Sequence, residues 1–252
     1  HINNNIMVDV ISHSDIMELD KNHLFMITVH KYKINNGIED FNLITTTHLP
    51  NKSSYHILMS FNSEKSFLLT RNFNIVKRVI DGGMISQEHK NTMVGTTVEI
   101  VGAGDHVVIA ENKIRTVKER IRTIIHGLPF SLPHYLIPDV VKYVTTRLNN
   151  EITVGNTSTP AYKFTNKIPS YQKEYSLAFG DVVEALDKNH INNNIFNSRT
   201  TTCIALYPLE NNNGTWCMFD IVSKTRVHRT HFNKIMMNSN IIESINNLTK
   251  VK

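Results

Sequence analysis

Three apolar, β-rich runs follow one another at the start of the chain before any helical period appears, and that order narrows the fold more than any other feature. Residues 6–19 and 24–33 are separated only by Asp20-Lys21-Asn22, a hairpin-turn composition, and residues 41–47 form a third short run. A polar break at residues 50–54 follows, where Ser53 or Ser54 caps a helix. Its intermittent apolar face is Ile57, Leu58, Phe61, Phe67 and Leu68. Residues 75–80 read as a buried strand ending abruptly at Asp81-Gly82-Gly83. Residues 98–101 are one more strand, closed by Gly102-Ala103-Gly104. From about Val107 to His126 the pattern turns helical, with Ile114, Val117, Ile121 and Ile125 recurring at 3, 4 and 4 residues. Pro129 and Pro133 break the chain. A further helix over residues 134–148 carries Leu136, Val140, Val144 and Leu148 on one side.

Three antiparallel strands, then crossovers, predict an α/β domain over residues 1–150: a mixed sheet flanked by helices. After Asn149 the texture changes. Residues 151–178 are polar, contain Pro160 and Pro169, and read as a linker. Residues 179–252 carry short β-like runs at 181–185, 201–207, 215–221 and 226–231, which predict a small all-β barrel of four or five strands. Asn211-Asn212-Asn213-Gly214 is a turn signal. The Asn-rich stretches 2–5, 190–194 and 211–213 read as loops, because the Asn amide competes for backbone hydrogen bonds.

The net charge of +5 and pI near 9.1 favour polyanionic partners such as nucleic acid, although many ordinary enzymes are this basic. Two cysteines, Cys203 and Cys217, fit reduced thiols in an intracellular chain, and no Cys-x-x-Cys pair offers a structural zinc site. Neither a transmembrane stretch nor a signal peptide is evident, so no membrane partner is expected. The chain begins at His1 without Met, which fits a fragment or a processed product.

Three carboxylates carry the chemistry. Asp15 lies inside the first apolar strand, where a charge is costly unless something compensates it. Asp81 ends a buried strand, where open α/β sheets bind ligands, and Glu111 opens the long helix. Adjacent strands bring Asp15 and Asp81 side by side, and the helix start brings Glu111 beneath them. Carboxylates so close repel unless a cation neutralises them, and hard oxygen ligands suit Mg²⁺ or Mn²⁺. Two such ions about 4 Å apart serve phosphoryl transfer. The bland alternative is that Asp at a strand end caps a helix. Asp9 and Asp20 also compete for the first position, with Asp20 better explained by the turn. Along the helix, Glu111, Arg115, Lys118 and Arg122 fall at spacings of 4, 3 and 4 on one face, away from Ile114, Val117 and Ile121. That face is either a basic stripe tracking a DNA backbone or a solvated surface laced with Glu119. Lys224, Arg226, Arg229 and Lys234 fit a phosphate-facing edge, with a solvated rim as the close alternative.

The helix resembles the catalytic-glutamate helix of copia-type retrotransposon integrases, which reads Glu-Arg-x-Asn-Arg-Thr-x-x-Glu-x-x-Arg. Glu111, Arg115, Thr116, Glu119 and Arg122 match, whereas Asn112 and Ile114 depart from it. Residues 159–169 are similar to the family's Thr-Pro-Tyr-Glu-x-Trp-Thr-Gly-x-x-Pro segment. Phe179-Gly180 resembles the start of its C-terminal region, and residues 199–207 and 227–232 its closing strands. Asp15-Ile16-Met17 and Asp81-Gly82 fit the first and second acidic positions. The resemblance implies an RNase H-like fold and a Mg²⁺-dependent polynucleotidyl transferase performing DNA 3′-end processing and strand transfer. It implies Asp15, Asp81 and Glu111 as ligands of two metal ions, and Arg115, Lys118 and Arg122 as DNA contacts. It further implies a homo-multimer acting in the nucleus on element ends and target DNA, with no small-molecule cofactor. The family's N-terminal His/Cys zinc module does not occur here, in keeping with a fragment. The alternative is a domesticated or decayed copy that binds DNA without catalysis.

Overall fold

In the computed structural model the described residues are 7–34, 39–86, 90, 93, 95–102, 107–153, 155–186, 198–209, 211 and 213–249. The loops expected at 2–5 and 190–194, the Ala103-Gly104 pair and Asn212 fall outside them. The chain parts into two compact units, His1–Glu119 with Arg147–Lys167, and Arg120–Thr146 with Ile168–Lys252.

The first unit is built on strands β1 (Val8–Asp20), β2 (His23–Ile34), β3 (Glu39–Leu49), β4 (Phe73–Asp81) and β5 (Thr97–Val101), in the order β3-β2-β1-β4-β5. The first three pair antiparallel; β4 joins β1, and β5 joins β4, in parallel. This is the expected mixed, helix-flanked sheet, in the RNase H-like strand order. At the β1–β2 turn Asp20 Oδ1 accepts the Asn22 N–H at 2.8 Å, which accounts for Asp20 as a turn residue.

Helix α1 (Ser54–Leu69) makes the crossover from β3 to β4, with the Ser53 hydroxyl accepting the His56 N–H at its N-cap. Its buried face is Ile57, Ser60, Phe61, Glu64 and Leu68, a spacing of i, i+3, i+4, i+7 and i+11. Phe67, read from the sequence as part of that face, is 50% exposed and instead packs on Phe164, with the ring centroids 5.2 Å apart and the rings tilted by 43°. Ile57 and Phe61 pack with Met26, Leu49, Ile80 and Val98 in one apolar cluster. Leu68 joins Val10, Tyr32, Phe73, Ile75 and Phe164 in another.

The β1–β4 ladder carries a bulge. Val8, Asp9 and Val10 pair with Phe73, Asn74 and Ile75, but Ile11 pairs with Lys77, so Val76 is an extra residue on β4. From there the shifted register continues to Ser14 opposite Ile80.

Helices α2 (Val108–Gly127) and α3 (Ile137–Asn149) follow, the latter preceded by a 3₁₀ turn at His134–Leu136. Pro138 is tolerated because it falls in the first turn of α3, where its missing N–H has no helical partner to lose. The Asn149 amide is bonded both ways to the Ile44 backbone at 2.8 Å, tying the end of α3 to β3. Within the stretch expected to be a linker, Thr159 caps α4 (Pro160–Thr165), Phe164 is buried, and Ser170 precedes the single turn α5 (Tyr171–Glu174).

In the second unit β6 (Val182–Leu186), β7 (Thr200–Pro208), β8 (Trp216–Asp220), β9 (Thr225–Arg229) and β10 (Phe232–Lys234) form an all-antiparallel sheet ordered β10-β6-β7-β8-β9. Its edge strands β9 and β10 are only two residues apart in sequence. A flat five-strand sheet would set its edges about 19 Å apart, beyond the roughly 10 Å that such a link spans, so the sheet is rolled toward a barrel. Trp216 is fully buried among Leu177, Val183, Ala205 and Met218, and its indole N–H donates to the Lys173 carbonyl at 3.0 Å. A closing helix, α6 (Ser239–Leu248), capped by Asn238, buries Ile245 and Leu248 and was not anticipated from the sequence. Among the described residues no helix is long and apolar enough to cross a membrane.

Candidate functional site

Asp15 and Asp81 belong to neighbouring parallel strands. Continuing the register one rung past Ser14–Ile80 sets Asp15 directly beside Asp81, about 4.8 Å strand to strand and on the same face of the sheet. That is the face opposite α1, because Ser12, Ser14, Arg78 and Ile80 turn the other way and are buried. Asp9 pairs with Asn74 near the far end of β1, and Asp20 is held in the turn, so neither stands beside Asp81.

Both carboxylates are half-buried and already hold backbone donors. Asp15 Oδ1 accepts the Ile16 N–H at 2.7 Å, and Asp81 Oδ1 accepts the Gly83 N–H at 3.0 Å. The Asp81-Gly82-Gly83-Met84 turn is closed by the Met84 N–H on the Asp81 carbonyl at 3.1 Å and anchored by the buried Met84 and Ile85. Space at Gly82 is tight. A Cβ would lie 3.3 Å from Ile100 Cγ2 and 3.4 Å from the Val101 carbonyl oxygen.

Glu111 sits in the first turn of α2, where the helix dipole favours a carboxylate, and is exposed. The three acids do not gather one oxygen each within 4.8 Å of one another. As a donor set they are hard oxygens that suit Mg²⁺ or Mn²⁺.

Along α2, Ile114, Val117 and Ile121 are buried, while Glu111, Arg115, Glu119 and Arg122 are exposed and Lys118 is half-buried. Arg115 leans on the Asn112 side chain at 3.4 Å. The face read as a basic stripe is thus accessible, and it carries Glu119 as well. On the rolled sheet, Arg226 forks onto the buried Asp139 at 2.7–3.2 Å and also reaches the Tyr135 carbonyl, while Lys234 pairs with Asp181 at 2.7 Å. Two of the four cations read as a phosphate-facing edge are thus engaged with carboxylates of their own unit.

Two features near the aspartates had no signal in the sequence. His13, two residues before Asp15 and on the same face, is held below the ordinary histidine range by burial and by the charge of Lys31, so it is neutral at pH 7. Behind the site, on the α1 face, lies a buried polar network. Arg78 pairs with Glu64 at 2.7 Å, donates to Ser14 Oγ at 2.8 Å and stacks on the Phe61 ring at 4.0 Å. Ser14 bonds Thr28 at 2.9 Å; Ser12 bonds His30 Nδ1 at 2.8 Å; His30 Nε2 bonds Thr45 at 2.9 Å; and the Thr45 hydroxyl donates to Glu64.

In structure the chain is similar to the catalytic core domain of BIV integrase, with TM-score 0.42 and 12% identity, covering 62% of this chain and 93% of that one. It is also similar to a chain of the simian T-cell lymphotropic virus intasome in complex with PP2A regulatory subunit B56 gamma. There the TM-score is 0.44 and the identity 12%, covering 94% of this chain and 85% of that one. No family model matches the sequence. No curated protein matches it either.

Proposed function

We propose that the protein is the catalytic core and C-terminal region of a retroelement integrase of the copia type, a polynucleotidyl transferase that processes DNA 3′ ends and joins them to target DNA. The observation that carries this reading is the β1–β4 register, whose last pair, Ser14–Ile80, leaves the half-buried Asp15 and Asp81 as the next residue of each parallel strand and on one face of the sheet. Two carboxylates placed so close repel, and a divalent cation relieves that repulsion, which is the chemistry of a cation site rather than of a helix cap. Further support comes from the helix motif around Glu111 and from the strand order of the first unit.

In this reading Asp15, Asp81 and Glu111 hold two divalent cations, Mg²⁺ or Mn²⁺. When bound, such ions neutralise the reacting phosphate and lower the pKa of an oxygen nucleophile. The protein's part is to fix the carboxylates and align the DNA. Arg115, Lys118 and Arg122 contact backbone phosphates and set its direction. A water oxygen, and in the second step a DNA 3′-hydroxyl, attacks phosphorus in line, and the bond to the opposite 3′-oxygen breaks. Neutral His13 adds no positive charge beside the aspartates. The working form is a homo-multimer on two DNA ends in the nucleus, with residues 1–150 as the core, 151–178 joining it to a C-terminal barrel at 179–252.

One observation favours the second reading, a DNA-binding copy without catalysis: the three carboxylates do not gather their oxygens within 4.8 Å. The purified chain, incubated with labelled duplexes ending in the element's terminal sequence and Mn²⁺ or Mg²⁺, separates the two. Nicking and joining are expected, and Asp15→Asn, Asp81→Asn and Glu111→Gln should each abolish them with the fold intact. DNA bound without nicking or joining would establish the second reading, and activity retained in Asp15→Asn would move the first ligand elsewhere.

A further inference from the structure

We propose that Arg78 is a positioning residue that locks the shifted β1–β4 register and thereby keeps Asp15 and Asp81 on one face of the sheet. This rests on the reading of the two aspartates as cation ligands.

The bulge makes a lock necessary. Before Val76 the pairs differ by 65 in residue number, as in Val10–Ile75; after it they differ by 66, as in Ser14–Ile80. Side chains alternate faces along a strand, so a one-residue slip sends every side chain beyond it to the other face. Were the first register to continue, Asp15 would lie beside Ile80 and Asp81 beside Ile16, with the carboxylates on opposite faces. Apolar patterning restrains such a slip weakly here, since the buried α1 face of β1 and β4 carries Ser12, Ser14 and Arg78 where hydrophobic residues would otherwise stand.

Arg78 reads the register. In the observed pairing it lies opposite Ser12 and on the same face as Ser14, whose hydroxyl it reaches at 2.8 Å. In the slipped pairing it would lie opposite His13 and point away from Ser14, Phe61 and Glu64 at once. The Glu64 partner is fixed in turn by α1 and by the Thr45 hydroxyl on β3, so the clamp ties four strands and a helix. Its contact at Ser14 is one residue from Asp15, and Arg78 is three residues from Asp81. The guanidinium touches neither carboxylate and acts through the backbone.

Ser12 and Ser14 make a matched test. Both are fully buried and both bond one β2 side chain, but only Ser14 is held by Arg78. Mn²⁺ affinity of the whole chain is measured by electron paramagnetic resonance, with thermal unfolding in parallel. Ser14→Ala should weaken Mn²⁺ binding about three- to tenfold, the equivalent of one buried hydrogen bond. Arg78→Lys, which keeps the charge but loses the planar guanidinium whose Nη1 reaches both Ser14 and Glu64, should do the same. Ser12→Ala should lower the melting temperature about as much as Ser14→Ala and leave Mn²⁺ binding within twofold of the parent. Equal Mn²⁺ effects in the two serine variants, or none in Ser14→Ala and Arg78→Lys, would overturn the lock. A parent chain whose Mn²⁺ binding does not respond to Asp15→Asn would overturn the cation-site reading itself, and the lock with it.

Discussion

Replacing Glu64 by Gln removes the charge that faces Arg78 while keeping the shape of the side chain. Arg78 is 1% and Glu64 6% exposed, and the pair closes at 2.7 Å, so water cannot take over the lost role. Breaking one side of a buried ion pair costs about 3–5 kcal/mol, because the remaining charge stays desolvated without a partner. For a chain of this size each kcal/mol lowers the melting temperature by roughly 2–4 °C, giving a fall of about 6–20 °C. The double variant Glu64→Leu/Arg78→Met removes both charges and should return to within about 2 kcal/mol of the parent, since a buried pair is often replaceable by apolar residues of similar volume. Acid supplies an independent check. Burial by itself would raise the Glu64 pKa, but the charges of Arg78 and His30 and the hydrogen bonds from His30 and Thr45 outweigh it. Its carboxyl therefore stays far below the ordinary value of 4.5. A folded-state value below the unfolded one means the contribution is complete above the unfolded value and is lost as pH falls beneath it. The parent should therefore lose stability from about pH 5 downward, and Glu64→Gln should show a shallower acid limb. Calorimetric scans between pH 3 and 8 measure both effects. A single-variant cost under about 1 kcal/mol, or a double variant as unstable as the sum of the singles, would refute the account.

Gly180 adopts φ +89°, and a Cβ there would lie 2.4 Å from Leu128 Cδ2, so Gly180→Ala should destabilise the second unit by about 2–4 kcal/mol, measured by denaturant titration. If Arg115, Lys118 and Arg122 contact phosphates, each change to Ala should weaken duplex binding and make the slope of log affinity against log salt shallower by about 0.9. An unchanged slope would return that face of α2 to ordinary solvent.

Most elements of the first unit are legible because their period is local. The Asp20-Lys21-Asn22 turn, the Ser53 cap and the Ile114, Val117, Ile121 spacing each report a neighbour within four residues. Less was legible where a residue serves a distant partner. Glu64 carries no sign of burial in the sequence until β4 supplies Arg78, and Arg226 fits a phosphate-facing edge or a solvated rim until Asp139 of α3 takes it. Phe164 lies in a polar stretch, and only the packing of Tyr32, Leu68 and Phe73 makes it core. The helix at Ser239–Leu248 was missed although Ile241, Ile242, Ile245 and Leu248 fall at helical spacing and Asn238 caps it.

The sequence by itself determined where most strands and helices of the first unit fall and which carboxylates stand at the end of β4 and the start of α2, since backbone propensity, turn chemistry and period are written locally. Which face of the sheet Asp81 occupies was decided by tertiary structure alone. That depends on the single extra residue at Val76, and a bulge is a choice between two strands about 65 residues apart in the chain, settled by what packs on the other face.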